Sequence, residues 1–176
     1  MKKILLGLIA LIVIVAGVLF GINGTSNYDA SKYSLTIAPS DKSFGIGSTI
    51  DFILPDQFDK VSKLPTTTQK LIFIFSKDTG HLMKEFMDGK TEDFLSSKNA
   101  LVIADVSTAP TVIRNTFILP GLKKSSYSMV LIYDKEMAKQ LKDGKDETKI
   151  IVMTLDNRRA TKVTEASSVD ELGKLL

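Results

Sequence analysis

The chain has 176 residues, 44% of them hydrophobic, with a formal charge of +3, one histidine, no tryptophan and no cysteine. A length within roughly 100–200 residues fits one domain. Without cysteine there is no disulfide, no thiolate nucleophile and no Cys-ligated zinc or iron–sulfur cluster. A single histidine likewise leaves no His-rich metal site, so no metal is expected.

Ile4 to Ile22 are 19 consecutive positions without a charge, preceded by Lys2 and Lys3. At 1.5 Å per residue such a run matches a hydrocarbon core of about 30 Å. It exceeds the roughly 7–15 residues of a signal-peptide core, and Ile22-Asn23-Gly24 makes a poor cleavage site. Residues 1–22 therefore read as an uncleaved membrane anchor, with a cleaved signal peptide as the competing reading. The two lysines favour a cytoplasmic N-terminus. This predicts a single-pass protein of a bacterial inner membrane, its C-terminal domain in the periplasm or another extracytoplasmic space. Gly17 and Gly21 have the small-xxx-small spacing that lets helices approach in lipid, the basis for a weak homodimer. Beyond residue 22 the chain carries 21 Lys+Arg (23 less Lys2 and Lys3) against 20 Asp+Glu. That +1 balance gives no basic face for nucleic acid.

Asn23 to Lys32 are small and polar and read as a tether, the start of an N-terminal extension over residues 23–46. Tyr33 to Ile37 alternates as a strand, and Thr49 to Leu54 forms another after Gly45 and Gly47. Lys70 to Phe75, a continuous apolar run, predicts a strand buried on both faces. A helix follows, capped at Asp78 or Thr79, with Leu82, Met83, Phe86 and Met87 on one face. Gly89 ends it, and residues 91–98 offer a short helical turn.

Ala100 to Val106 predicts the next strand. Thr108 and Pro110 start a helix that Pro120-Gly121 should break. Tyr127 to Tyr133 reads as a strand and Lys135 to Lys142 as an exposed helix. Lys149 to Leu155 and Ala160 to Glu165 form a hairpin about Asp156-Asn157. Ser168 and Glu171 form a capping box for a last helix lined by Val169, Leu172, Leu175 and Leu176. The order is β-α-β-α-β-(α)-β-β-α after one or two extra strands: an α/β fold with a mixed central sheet flanked by helices.

Three stretches resemble the thioredoxin-like superfamily. Phe52-Ile53-Leu54-Pro55-Asp56-Gln57 is similar to the opening strand of its membrane-anchored members and of peroxiredoxins. Leu71 to Phe75 resembles the strand that delivers the active-site motif. Tyr127 to Asp134, the hairpin at Asp156-Asn157 and the terminal helix follow the family's closing order. The resemblance spans residues 47–176, the predicted thioredoxin-like domain. It implies a Cys-x-x-Cys at about Gly80-His81-Leu82-Met83, at a helix N-terminus, where the dipole and free N–H groups lower a thiol's pKa. No thiol stands there, and Ser125-Ser126-Tyr127-Ser128 replaces the proline that usually precedes the third core strand. Thiol–disulfide exchange needs a thiolate, so the resemblance implies a redox-inactive member.

The candidate functional region is where that motif would stand: Lys77, Asp78, Thr79, Gly80, His81 and Met83. His81 as a general base lacks a partner at a usable spacing, and Met83 with Met87 reads as core filler rather than a copper site. A basic contact surface is a second candidate, from Arg114, Lys123 and Lys124 and from Arg158 and Arg159, facing anionic lipid or an acidic partner. No cofactor is expected. The sequence points to a non-enzymatic, membrane-tethered envelope domain that binds a protein or peptide. The alternative is a small-ligand binder or non-thiol enzyme using Lys77 to His81.

Overall fold

A computed structural model describes residues 21, 24–40 and 44–176. Apart from Gly21, the apolar run 4–22 lies outside the described residues, as does Gly17. Among the described residues no helix is long and apolar enough to cross a membrane.

Eight strands build one sheet: β1 (Ser34–Ala38), β2 (Thr49–Pro55), β3 (Val61–Lys63), β4 (Lys70–Ile74), β5 (Ala100–Asp105), β6 (Met129–Ile132), β7 (Ile150–Asp156) and β8 (Arg159–Ala166). The path is β1-β2-β8-β7-β4-β5-β6, with β3 paired to β2. β4, β5 and β6 run parallel, and β7 and β8 close the sheet antiparallel. β2 starts beside Arg159 of β8, and just beyond its end Asp56 bridges Val130 of β6. The N-terminal strands thus lie across one face of the sheet.

The central strand β4 shows why the fold closes. Leu71, Phe73 and Phe75 point into one core with Ile50, Phe52 and Leu54 of β2. Ile72 and Ile74 point into the other with Met83, Phe86 and Leu172. Period-two alternation within an unbroken apolar run serves both cores at once. One is covered by α1 (Lys77–Met87), α2 (Phe94–Ser97), the helical segment α3 (residues 111–122) and α5 (Val169–Leu175). The other is covered by β2 and α4 (Lys135–Lys142).

The predicted order of elements holds, with three extra strands rather than one or two. The local differences have identifiable causes. α1 begins earlier than expected because Ser76, and not Asp78 or Thr79, caps it. β6 is shorter than predicted because the Gln57 side chain inserts at its start. Gln57 Nε2 donates to the Tyr127 carbonyl at 2.9 Å, and Met129 N donates to Gln57 Oε1 at 3.0 Å. Pro120-Gly121 does not break α3, which continues to Leu122. Pro120 has no N–H to give the Thr116 carbonyl. The chain passes this gap through a π-turn at Arg114–Ile118, in which Leu119 N–H reaches the Arg114 carbonyl. At the last helix Ser168 Oγ accepts from Glu171 N–H, but the Glu171 carboxylate takes the N–H of Ser167, so the box is only half formed.

The β7–β8 hairpin turns through Asn157 and Arg158, both at positive φ (46° and 67°). Asn tolerates this conformation, whereas Arg does so only when held. Arg158 is held by Asp51 at 2.6 Å and by the Leu64 carbonyl at 3.2 Å.

Candidate functional site

β4 delivers the chain into α1 through Ser76, whose side chain turns back onto the helix start. Thr79 N–H donates to Ser76 Oγ at 3.3 Å, and Ser76 N–H donates to Thr79 Oγ1 at 3.0 Å. The two hydroxyls stand 3.1 Å apart. Each satisfies an N–H that the first turn would leave orphaned. Positions 76 and 79 thus carry, at the helix N-terminus, the i,i+3 side-chain pair that the resemblance places at residues 80–83. Gly80 to Met83 lie one turn further along.

The residues proposed around that motif do not converge. Lys77, Asp78 and His81 are exposed, Thr79 is buried by its cap, and Met83 is fully buried among Ile72, Phe86 and Leu172. Met87 is buried in the same cluster, as expected of core filler. A Cβ at Gly80 would meet Ile74 at an ordinary 3.7 Å. Among the described residues no group of three His, Asp or Glu side chains could hold a metal.

The basic residues fall into two separate places. Arg158 and Arg159 sit at the β7–β8 turn beside β2. Lys123 and Lys124 follow α3, where Lys123 pairs with Asp59 at 3.4 Å and Lys124 is exposed. Arg114 is not a surface residue at all, being 7% exposed.

Arg114 belongs to a cluster the sequence did not announce. Residues 25–32 of the stretch expected as a tether (Asn23 to Lys32), together with Tyr33, pack on α3 and on Tyr133 just beyond β6. Arg114 Nη2 donates to Ser26 Oγ at 3.3 Å, and Asn115 Nδ2 donates to the Thr25 carbonyl at 2.9 Å. Tyr28 stacks between Tyr33 and Tyr133, with ring centroids 5.2 and 4.9 Å apart. The Arg114 guanidinium lies 4.9 Å from the Tyr133 ring. No carboxylate among the described residues pairs with it. A buried unpaired charge costs several kcal/mol, while a desolvated cation–π contact returns about 2 kcal/mol or somewhat more. Among the described residues Arg114 Nε, Thr116 Oγ1 and the Tyr28 hydroxyl are buried without a partner, and the buried Tyr133 hydroxyl has only the Asp59 carboxylate nearby. The only signal in the sequence was the run of paired polar and basic side chains at Arg114-Asn115-Thr116 inside an apolar helix.

A second feature lies at the carboxyl end of β5. An open cavity of about 470 Å³ is lined by Ser107, Lys135, Lys139, Lys142, Lys145 and Glu147, among others. Lys142 bridges the buried Asp105, at 2.6 Å, and Glu147, at 2.8 Å. Burial alone would lower this ammonium most. Its hydrogen bonds to the two carboxylates, with their charges, outweigh burial and hold it above the ordinary lysine value.

Burial also raises three phenols. Tyr127 moves from 10 to about 12, and Tyr133 and Tyr28 rise as well. A pKa raised in the fold gives stability that is complete below the unfolded value and lost as pH climbs through the folded one. Lys145 and Lys70 are lowered by burial and titrate in the opposite sense. The large shifts are those of the phenols Tyr127 and Tyr133, so the fold should lose stability as the pH climbs from 10 towards 12 and beyond. Tyr127 alone accounts for about 2 kcal/mol, since two units at ~1.4 kcal/mol each are discounted for its remaining hydration. Phenolate absorbance and far-UV dichroism, followed together, should change in one step. Ionisation complete before any unfolding would contradict this.

No protein-family model and no curated protein matches the chain. Among solved structures, similarity extends to a protein of Bacteroides thetaiotaomicron assigned as a protein disulfide isomerase, with a TM-score of 0.50 and 16% identity, covering 81% of this chain and 89% of that one. Also similar are the thioredoxin domain of a thiol-disulfide oxidoreductase from Bacteroides vulgatus (TM-score 0.46, 13% identity, 76% and 99% covered) and a peroxiredoxin-like protein from Aquifex aeolicus (0.45, 8%, 81% and 92%). At these identities the likeness concerns fold alone, and the first of the three carries it. The chain has the thioredoxin-like fold, with a hydroxyl pair at the start of its first helix and no cysteine anywhere.

Proposed function

We propose that this is a membrane-tethered, extracytoplasmic domain of the cell envelope that binds another protein or peptide and performs no thiol chemistry. The observation that carries the reading is the rigid β2–β3 turn, which holds Phe58 and Val61 in solvent at 50% and 57% exposure. The turn is well braced. Asp56 Oδ1 accepts from the N–H groups of Phe58 and Lys60, both at 2.8 Å. Buried Gln57 ties it to β6, and Asp59 pairs with Lys123. Large apolar side chains displayed on a fixed turn suit a docking surface, since little ordering entropy remains to be lost. The dispersed Lys77 to His81 region offers no comparable arrangement for catalysis.

A photo-reactive side chain at position 58 or 61 of the full chain, in native membranes, tests this. One reproducible adduct is expected, abolished by Val61→Asp (label at 58) or Phe58→Asp (label at 61) and unchanged by His81→Ala. Absence of any reproducible adduct, or an adduct indifferent to the Asp substitutions, counts against the interaction reading. Protease protection in intact cells and spheroplasts tests the tether and its side of the membrane.

A further inference from the structure

We propose that the groups around Arg114 form a carboxylate-binding site that residues 25–33 cover like a strap. The site lies where open parallel sheets place ligands, outside the carboxyl ends of adjacent strands. α3 follows β5 and supplies Arg114 and Asn115, and Tyr133 follows β6. The donors are a guanidinium, a side-chain amide and two phenols, and among the described residues no carboxylate pairs with the guanidinium. The strap supplies neutral oxygens instead: Ser26 Oγ on Arg114 and the Thr25 carbonyl on Asn115. A carboxylate placed on the guanidinium can accept two parallel N–H bonds, including one from Nε, which now meets no acceptor.

Charge selects the ligand further. After burial, the Asp59 carboxylate is the next cause of the raised Tyr133 phenol, and Asp134 acts in the same way on Tyr28. Two nearby negative charges disfavour a phosphate dianion and leave a monoanionic carboxylate as the better match. It could be a free small acid or the C-terminus of a peptide, and the two differ in the contacts they make beyond the carboxylate.

The strap fixes how binding would be felt. Three of the four tyrosines of a tryptophan-free chain stand in this one stack. Displacing residues 25–33 separates Tyr28 from Tyr133, so intrinsic tyrosine emission reports occupancy directly.

The experiment titrates the full-length protein in detergent micelles with acetate, N-acetyl trialanine and the C-terminal amide of that peptide, at constant ionic strength in chloride. Saturable change with acetate and the free peptide, and none with the amide, is expected. Tighter binding by the peptide than by acetate assigns a peptide C-terminus; equal binding assigns a small acid. Arg114→Gln should weaken binding at least tenfold, and Tyr28→Ala, which loosens the strap, should tighten it several-fold. Should Arg114→Gln fail to fold by circular dichroism, Asn115→Ala serves in its place, with a several-fold loss expected. A response identical to that of added chloride, or one unchanged in the Arg114 and Asn115 variants, overturns the proposal. The amide binding as well as the acid overturns it too.

Discussion

Phe73→Ala is expected to destabilise the fold by about 4 kcal/mol, the middle of the range for emptying a buried phenylalanine site. Phe73 sits in β4, between the parallel β5 and the antiparallel β7, and is completely inaccessible. Its ring stacks on Phe75 at 5.6 Å and meets Phe44 edge-on at 6.1 Å. Neighbours on β5 and β7 fix the backbone on both sides, so the cavity cannot close by a shift of the strand. The lost term is therefore transfer plus cavity rather than transfer alone. For a domain of this size the melting temperature should fall by roughly 8–16 °C. Ile46→Ala is the matched comparison: Ile46 is 71% exposed, and its loss should stay within about 0.5 kcal/mol. Thermal unfolding of the two variants checks both values. Equal effects would mean that the packing across β4 has been misread.

That core was legible in the sequence because it rests on local pattern. Lys70 to Phe75 can hardly be anything but a doubly buried strand, and Leu82, Met83, Phe86 and Met87 fall on one helical face by spacing alone. The β7–β8 hairpin announced itself through turn chemistry, although its turn residues are Asn157 and Arg158 rather than Asp156 and Asn157, Asp156 being the last residue of β7. Features set by tertiary partners were not legible. The trimming of β6 depends on Gln57, 70 residues earlier. The passage of α3 over Pro120 depends on a π-turn that no local propensity signals. The strap looked like a tether because its residues are small and polar, and its order comes from Tyr133 and Arg114, which lie more than eighty residues away. Arg114 left the basic cluster it forms with Lys123 and Lys124 in the sequence for the same reason, since sequence clusters of charge carry no information on which side chains are drawn inward. The start of α1 was displaced because its cap is a serine next to the strand, where Asp78 and Thr79 looked equally able to serve.

That displacement leads to the second large expected effect. The double variant Ser76→Cys, Thr79→Cys should gain thiol–disulfide exchange, an activity the native chain has no atom to perform. The two hydroxyls already face each other at 3.1 Å across an i,i+3 step, a side-chain approach compatible with a disulfide. Position 76 is half-buried and position 79 is sealed at 1% exposure. The thiol at 76 would attack and the thiol at 79 would resolve the mixed disulfide. The N–H of residue 79 already reaches the side chain at 76, so together with the helix dipole it should bring that thiol below its usual value of about 8.5. The cost is the hydroxyl cap, about 1 kcal/mol of helix stability, which the fold can bear. Insulin reduction by dithiothreitol should then be accelerated by the variant and not by the parent, and pH-dependent alkylation should report the lowered thiol. Placing the cysteines at 80 and 83 instead is the discriminating arm. The second sulfur would lie in the core with Phe86 and Leu172, and neither would stand at the helix N-terminus, so that pair should stay inert. Exchange by the 80/83 pair, or none by a folded and disulfide-forming 76/79 pair, would show that the hydroxyls do not occupy the position at which this fold supports thiol chemistry.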